Sequence, residues 1–232
     1  MRFLTIKRST LFIILMCVIL ILSLSAVFFA TKETSSPKGS FIVVIDAGHG
    51  GIDGGCVGKT TGIYESDLNL EYAKILASHL ENMGISSVLT RTDSNGLSEE
   101  GVSNRKKSDM KKRKEIIENA SPMLVVSIHM NSYTRDSSRG AQAFYKKGNE
   151  EGGKLCSDIQ DELHSMLDYA SSQEKVGDYY IVNCTDIPSV LIECGFLSNR
   201  EEEALLMSKD YKEKVCYAIT CGIIKYLNRG VI

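Results

Sequence analysis

His49, Glu65, His129 and Glu193 are residues of the types that hold metal ions and move protons, and each stands beside a hydrophobic segment. His49 lies in Asp46-Ala-Gly-His49-Gly-Gly, His129 in Ser127-Ile-His129-Met-Asn131, and Glu193 in Leu191-Ile192-Glu193-Cys-Gly-Phe. A catalytic zinc site takes three protein ligands from His, Asp or Glu and keeps a fourth position for water. His49, Glu65 and His129 supply such a set for one ion per chain, and Glu193 is left free as the catalytic carboxylate. A carboxylate within hydrogen-bond reach of that water takes its proton and returns it to a leaving amine. This division of labour describes metal-assisted amide hydrolysis. Spacing alone does not assign it: 15 residues separate His49 from Glu65 and 63 separate Glu65 from His129, with no HExxH. A histidine at a strand end is often only a satisfied polar residue.

The elements that must position these residues alternate along the chain. Phe41–Ile45 is a continuous apolar run ending at Asp46, as a buried strand does. Residues 66–83 place Leu68, Tyr72, Ile75, Leu76, Leu80 and Met83 at helical spacing, with Gly84 as a stop signal. Residues 85–90 read as a strand, 94–112 as a polar loop, 113–119 as a short helix and 124–129 as a buried strand. Strands follow at 141–145, 179–182 and 190–192, with helices at 155–167 and 210–227. Strands alternating with helices give an α/β domain in three layers around a mostly parallel sheet. In such sheets ligands bind beyond the carboxyl ends of the strands, where His49, His129 and Glu193 fall.

Other polar residues near these ends carry two readings each. Asn131 orients substrate or caps its own loop. Arg91 meets a substrate carboxylate or pairs with Asp93 or Asp46. Asp46 supports a ligand histidine or simply ends its strand, and Arg113 is expected in a structural ion pair. The glycines around His49 lack a helix directly after them, so they read as tight turns and close approach to a metal site rather than a nucleotide loop. His79 and His164 read as edge-of-core residues, and the basic run 106–114 as a solvated face.

Residues 11–30 form an uncharged apolar run of 20 residues, enough for one transmembrane helix of about 30 Å. Arg2, Lys7 and Arg8 before it keep residues 1–10 cytoplasmic and send the remainder across the membrane. The run is long for a cleavable signal and lacks an Ala-x-Ala site, which favours an uncleaved anchor. Residues 31–40 are a polar linker, and 41–229 the catalytic domain. Of the 27 basic and 29 acidic residues, five and one lie within 1–38, leaving 22 and 28 beyond, a net of −6. That balance gives no electrostatic footprint for nucleic acid. Six of the seven cysteines lie in the exported part, without a CxxC pair; they read as reduced, buried thiols.

The sequence resembles the zinc-dependent N-acetylmuramoyl-L-alanine amidases of the Amidase_3 type. The resemblance rests on Val44-Ile-Asp-Ala-Gly-His-Gly-Gly-Ile-Asp-Gly-Gly55, Glu65-Ser-Asp-Leu-Asn-Leu70, Val88-Leu-Thr-Arg-Thr-Asp93, Ser127-Ile-His-Met-Asn131 and Ile192-Glu-Cys-Gly-Phe-Leu-Ser-Asn199. It implies zinc on His49, Glu65 and His129, a catalytic Glu193, and a twisted six-stranded sheet flanked by helices. Within the family the chain is most similar to spore-cortex, germination-type amidases. That branch implies removal of stem peptides from muramic acid toward muramic-δ-lactam, in the forespore- or cortex-facing space, during sporulation. Expected partners are peptidoglycan, the membrane through the N-terminal helix, and an activating protein. Two readings compete: a zinc peptidase cutting within the stem peptide, and a catalytically silent wall-binding module.

Overall fold

In the computed structural model, residues 41–229 are described, together with Ser9, Met16 and Val18. The expected transmembrane run and linker otherwise lie outside the described residues. Among the described residues no helix is long and apolar enough to cross a membrane. Residues 41–229 form one compact unit.

Three strands are buried along almost their whole length: β1 (Ile42–Ala47), β3 (Leu124–Asn131) and β6 (Ser189–Phe196). Their runs of Val, Ile and Leu suit a pleated surface covered on both faces. They form the middle of a six-stranded sheet ordered β2-β1-β3-β6-β4-β5, with β2 (Ser86–Leu89), β4 (Gln142–Tyr145) and β5 (Lys175–Val176) outside them. All neighbouring pairs are parallel except β4 with β6.

Side chains alternate between the two faces of a strand. Val43, Ile45, Val126, Ile128, Val190 and Ile192 meet the larger core, built with helices α1 (Glu65–Asn82), α3 (Glu150–Met166) and α6 (Lys209–Asn228). Val44, Val125 and Leu191 face a smaller cluster closed by α2 (Arg105–Ala120) and the short α4 (Tyr180–Asn183). The same parity assigns Asp46, Ser127, His129 and Glu193 to the thinly covered face. The site therefore opens where the second helical layer is sparse.

Helix α1 buries Leu68, Tyr72, Leu76 and Leu80, a four-residue repeat along one stripe, each worth about 1.5–3 kcal/mol of burial. It ends where Gly84 takes φ +76° and its N–H returns to the Glu81 carbonyl.

Three expectations are corrected here. Residues 105–112, expected in a loop, are the first half of α2, which starts on the Asn104 side chain accepting the Lys107 N–H at 3.0 Å. Residues 179–182, expected as a strand, lie at the start of α4, where Ile181 and Val182 pack on the smaller cluster as one helical turn. Helix α5 (Arg200–Met207) precedes α6 and was not expected; the Asn199 side chain caps it by accepting the N–H groups of Glu201 and Glu202.

Candidate metal centre

The backbone after β1 carries His49 in a left-handed conformation, φ 60°, which costs a non-glycine residue about 1–2 kcal/mol. Two buried arginines hold it there. Arg113 donates to the carbonyls of Ala47 (2.8 Å) and His49 (2.6 Å), and Arg91 to those of Ala47 (2.9 Å) and Gly48 (3.0 Å). Arg113 also pairs with Asp46 at 2.5 Å and Asp109 at 2.7 Å. Ser127 and Thr90 hydroxyls donate to the same Asp46 carboxylate. Burial opposes ionisation of Asp46, but Arg113 and the Ser127 hydroxyl outweigh it and hold the group below the usual range.

Glu65 opens α1 and projects between the two histidines. Its Oε1 lies 2.8 Å from His129 Nδ1 and 3.3 Å from His49 Nε2. The Asn69 side chain, one helical turn on, donates to Oε1 at 3.2 Å, and the Cys56 N–H donates to Oε2 at 2.9 Å. One donor atom from each of His49, Glu65 and His129 falls within 4.8 Å of the others. A tetrahedral ion with bonds of about 2.0–2.1 Å sets its ligands about 3.4 Å apart, so the set fits zinc in both donor type and spacing. Asp53 takes His49 Nδ1 at 2.9 Å, which leaves Nε2 directed at Glu65 as the ligating nitrogen.

Burial works against charge on His49, yet Glu65 and Asp53 raise it to about 9. Burial likewise opposes a charged Glu65, and the two histidines hold it far below the carboxylate range. Both shifts have one cause, a carboxylate packed between two imidazoles.

Two glycines make room for the ligands. A Cβ on Gly48 would stand 2.8 Å from His129 Nδ1 and nearer still to its Cε1 and Nε2; one on Gly55 would stand 2.9 Å from the Glu65 carboxyl carbon.

Glu193 pairs in register with His129 across the β3–β6 ladder. It is 8% exposed, and its buried Oε2 has no hydrogen-bond partner among the described residues. Burial pushes it up to about 7, with the histidines pulling it down and Glu65 adding to the rise. A carboxyl balanced near neutrality, with an unoccupied oxygen beside three metal-type donors, suits proton transfer.

These groups share one cavity of about 830 Å³ with Asn131, Cys56 and residues of α2 and α4. Arg91 is not on its wall: it is buried, and its guanidinium is spent on the carbonyls of Ala47, Gly48, Ser66 and Asp93. The substrate-carboxylate reading of Arg91 is thereby corrected; it braces the backbone. Asp46 serves Arg113, Ser127 and Thr90 rather than a ligand histidine. His79 pairs with Glu213 at 2.8 Å and His164 with the Ala170 carbonyl at 3.1 Å, both away from the centre. Sequence reasoning passed over Asn69 and Asp53. Asn69 sits four residues after Glu65 on the same helix, a spacing that carried a signal; Asp53 reaches His49 across a turn, where spacing carries none.

A family model described as N-acetylmuramoyl-L-alanine amidase, Amidase_3, matches residues 43–225. The germination-specific N-acetylmuramoyl-L-alanine amidase of Bacillus subtilis is 36% identical over 199 residues, covering 84% of this chain and 83% of that protein. The CwlD amidase of Clostridioides difficile, solved in complex with the GerS lipoprotein, superposes with a TM-score of 0.78 at 39% identity, over 82% of this chain and 100% of that one. The catalytic domain of CwlV, an amidase of Bacillus (Paenibacillus) polymyxa, gives a TM-score of 0.72 at 31% identity, over 82% and 99%.

Proposed function

Because the chain belongs to the Amidase_3 family of N-acetylmuramoyl-L-alanine amidases, we propose that it strips stem peptides from the muramic acid of spore-cortex peptidoglycan through a zinc centre on His49, Glu65 and His129. It hydrolyses the amide between the lactyl group of N-acetylmuramic acid and L-alanine. When bound, the zinc supplies Lewis-acid polarisation of the scissile carbonyl and eases deprotonation of the attacking water. Glu193 takes that proton and delivers it to the departing amine of L-alanine. The observation that carries this role is the buried, unpartnered Oε2 of Glu193 beside the ligand set. Asn69 and Asp53 orient the ligands, and the arginine pair fixes the backbone that presents His49.

The spore role is supported by the likeness to the germination-specific amidase of B. subtilis and to CwlD. We place the catalytic domain, residues 41–229, outside the cytoplasm, with residues 11–30 as its membrane anchor and 31–40 as the linker. The lipoprotein bound to CwlD supports an activating partner for this chain as well. Asn131, on the cavity wall, is assigned to substrate positioning.

Digestion of cortex-type peptidoglycan by the full chain with zinc, read by mass spectrometry, tests the reading. Intact stem peptides with a free L-alanine amine are expected. Shortened peptides would assign a stem-peptide peptidase instead, and no product with zinc and partner supplied would leave a silent binding module.

A further inference from the structure

We propose that Lys106 and Lys107 form a specificity site for a free carboxylate of the stem peptide, at the α2 side of the cleft. The inference rests on the amidase reading and names the part of the substrate that the cleft selects. The cavity, about 830 Å³, far exceeds the roughly 30 Å³ that each water needs, so most of it is available to glycopeptide. Its walls differ in chemistry. Glu65 and Glu193 line the metal end, while Lys106, Lys107 and Lys111 stand on the wall contributed by α2 and Tyr179 and Tyr180 lie on the cavity surface near α4.

These two lysines differ from the other lysines of the helix. Lys111 and Lys112 lie 3.6 and 3.3 Å from Glu115, and Lys114 lies 3.5 Å from Glu118. Such exposed pairs add little stability, but they occupy the charge. Lys106 and Lys107 have no carboxylate within the ion-pair limit among the described residues, although the Lys106 charge reaches Asp53; both border the cavity, as does Lys111, whose ammonium is engaged by Glu115.

The chemistry of the substrate supplies the missing partner. Once the lactyl carboxyl is consumed in the amide, the sugar side of the scissile bond is uncharged. The stem peptide keeps free carboxylates, including that on its second residue when this is γ-linked glutamate. Lysine ammonium groups on the α2 wall favour the side of the scissile bond that carries carboxylates, which sets the peptide along α2. Two lysine–carboxylate pairs at such an exposed wall together discriminate against the uncharged amide by up to about tenfold.

The experiment uses the full chain with zinc and two synthetic muramyl peptides, identical except that the second-residue carboxylate is free in one and a primary amide in the other. The native protein is expected to prefer the free acid by up to about tenfold in kcat/KM, mainly through KM. Lys106→Gln/Lys107→Gln is expected to bring the ratio near one, while Lys112→Gln on the same helix keeps it. A double variant that retains the preference, or loses activity equally on both peptides, overturns the proposal. The same peptides are titrated into Glu193→Gln by calorimetry, with and without the lysine substitutions. If the native chain, supplied with its partner protein, cleaves neither peptide, the amidase reading fails. The binding preference then decides the lysine site separately: a preference erased by the double variant upholds it, and equal binding of acid and amide overturns it.

Discussion

Gly48→Ala disturbs the metal centre while leaving every proposed ligand in the sequence. Gly48 is not among the positive-φ glycines, so alanine meets no backbone penalty there. The obstacle is His129, whose Nδ1 would lie 2.8 Å from the new Cβ, with other ring atoms closer. Carbon contacts settle at about 3.5–4.0 Å, so the imidazole must retreat by roughly 1 Å. Metal–ligand distances tolerate only about 0.2 Å, and a retreat of this size removes His129 from the set. Replacing a residue that merely orients a ligand already costs about 10–100-fold in metal affinity. Displacing the ligand itself should cost at least about 100-fold, or ~2.7 kcal/mol. Zinc affinity would be measured by competition with a chromophoric chelator, with circular dichroism to verify the fold. Gly62→Ala is the control: φ is +73° and no atom lies within 4 Å of its Cβ, so it strains the backbone without reaching the site. Gly48→Ala binding zinc within about threefold of the native protein would refute the reasoning.

Glu193→Gln should lower turnover by about 10²–10⁴-fold with zinc affinity retained, since Glu193 stands outside the ligand set; parallel loss of zinc in the chelator assay would make it a ligand instead. Arg113→Met should destabilise the fold by about 3–5 kcal/mol in urea denaturation, because Asp46 is left charged and buried, and Asp46→Asn added to it should recover part of that loss. Asp46 is held below its ordinary value, so its contribution is complete above about pH 4 and is lost as pH falls through the depressed native value. Asp46→Asn should flatten that acid limb of the stability profile; an unchanged limb would mean other carboxylates set it. The cysteines at 56, 156, 184, 194, 216 and 221 are all free, so dithiothreitol should leave Tm unchanged.

The layout of the centre was legible because strand ends and metal-type residues coincide in the sequence. Val44-Ile-Asp and Leu124–Ile128 announce buried parallel strands, and Asp46, His129 and Glu193 follow from their parity and termini. Helix α2 was not legible in its first half. It buries only Arg113 and Ile117, so it lacks the apolar stripe that periodicity detects, although Lys, Glu and Met favour helix strongly. Its cap at Asn104 was the readable signal. Tyr180–Asn183 misled for the opposite reason: β-branched residues in a short apolar run suit a strand, and tertiary packing on Val44 and Leu191 overrode them. Arg91 could not be assigned from type alone, because a guanidinium serves carboxylates and carbonyls equally well.

The arginine brace beneath His49 has a consequence for how the protein acquires its metal. In small zinc domains the ion organises an unfolded chain, and uptake is a folding event. Here the carbonyls of Ala47, Gly48 and His49 are already held by protein donors, and Glu65 is fixed from both oxygens. An ion seated on this frame would cost little conformational entropy, since the backbone that bears its ligands is tied by protein donors. The ion would serve the reaction, and the fold would rest on the protein's own hydrogen bonds.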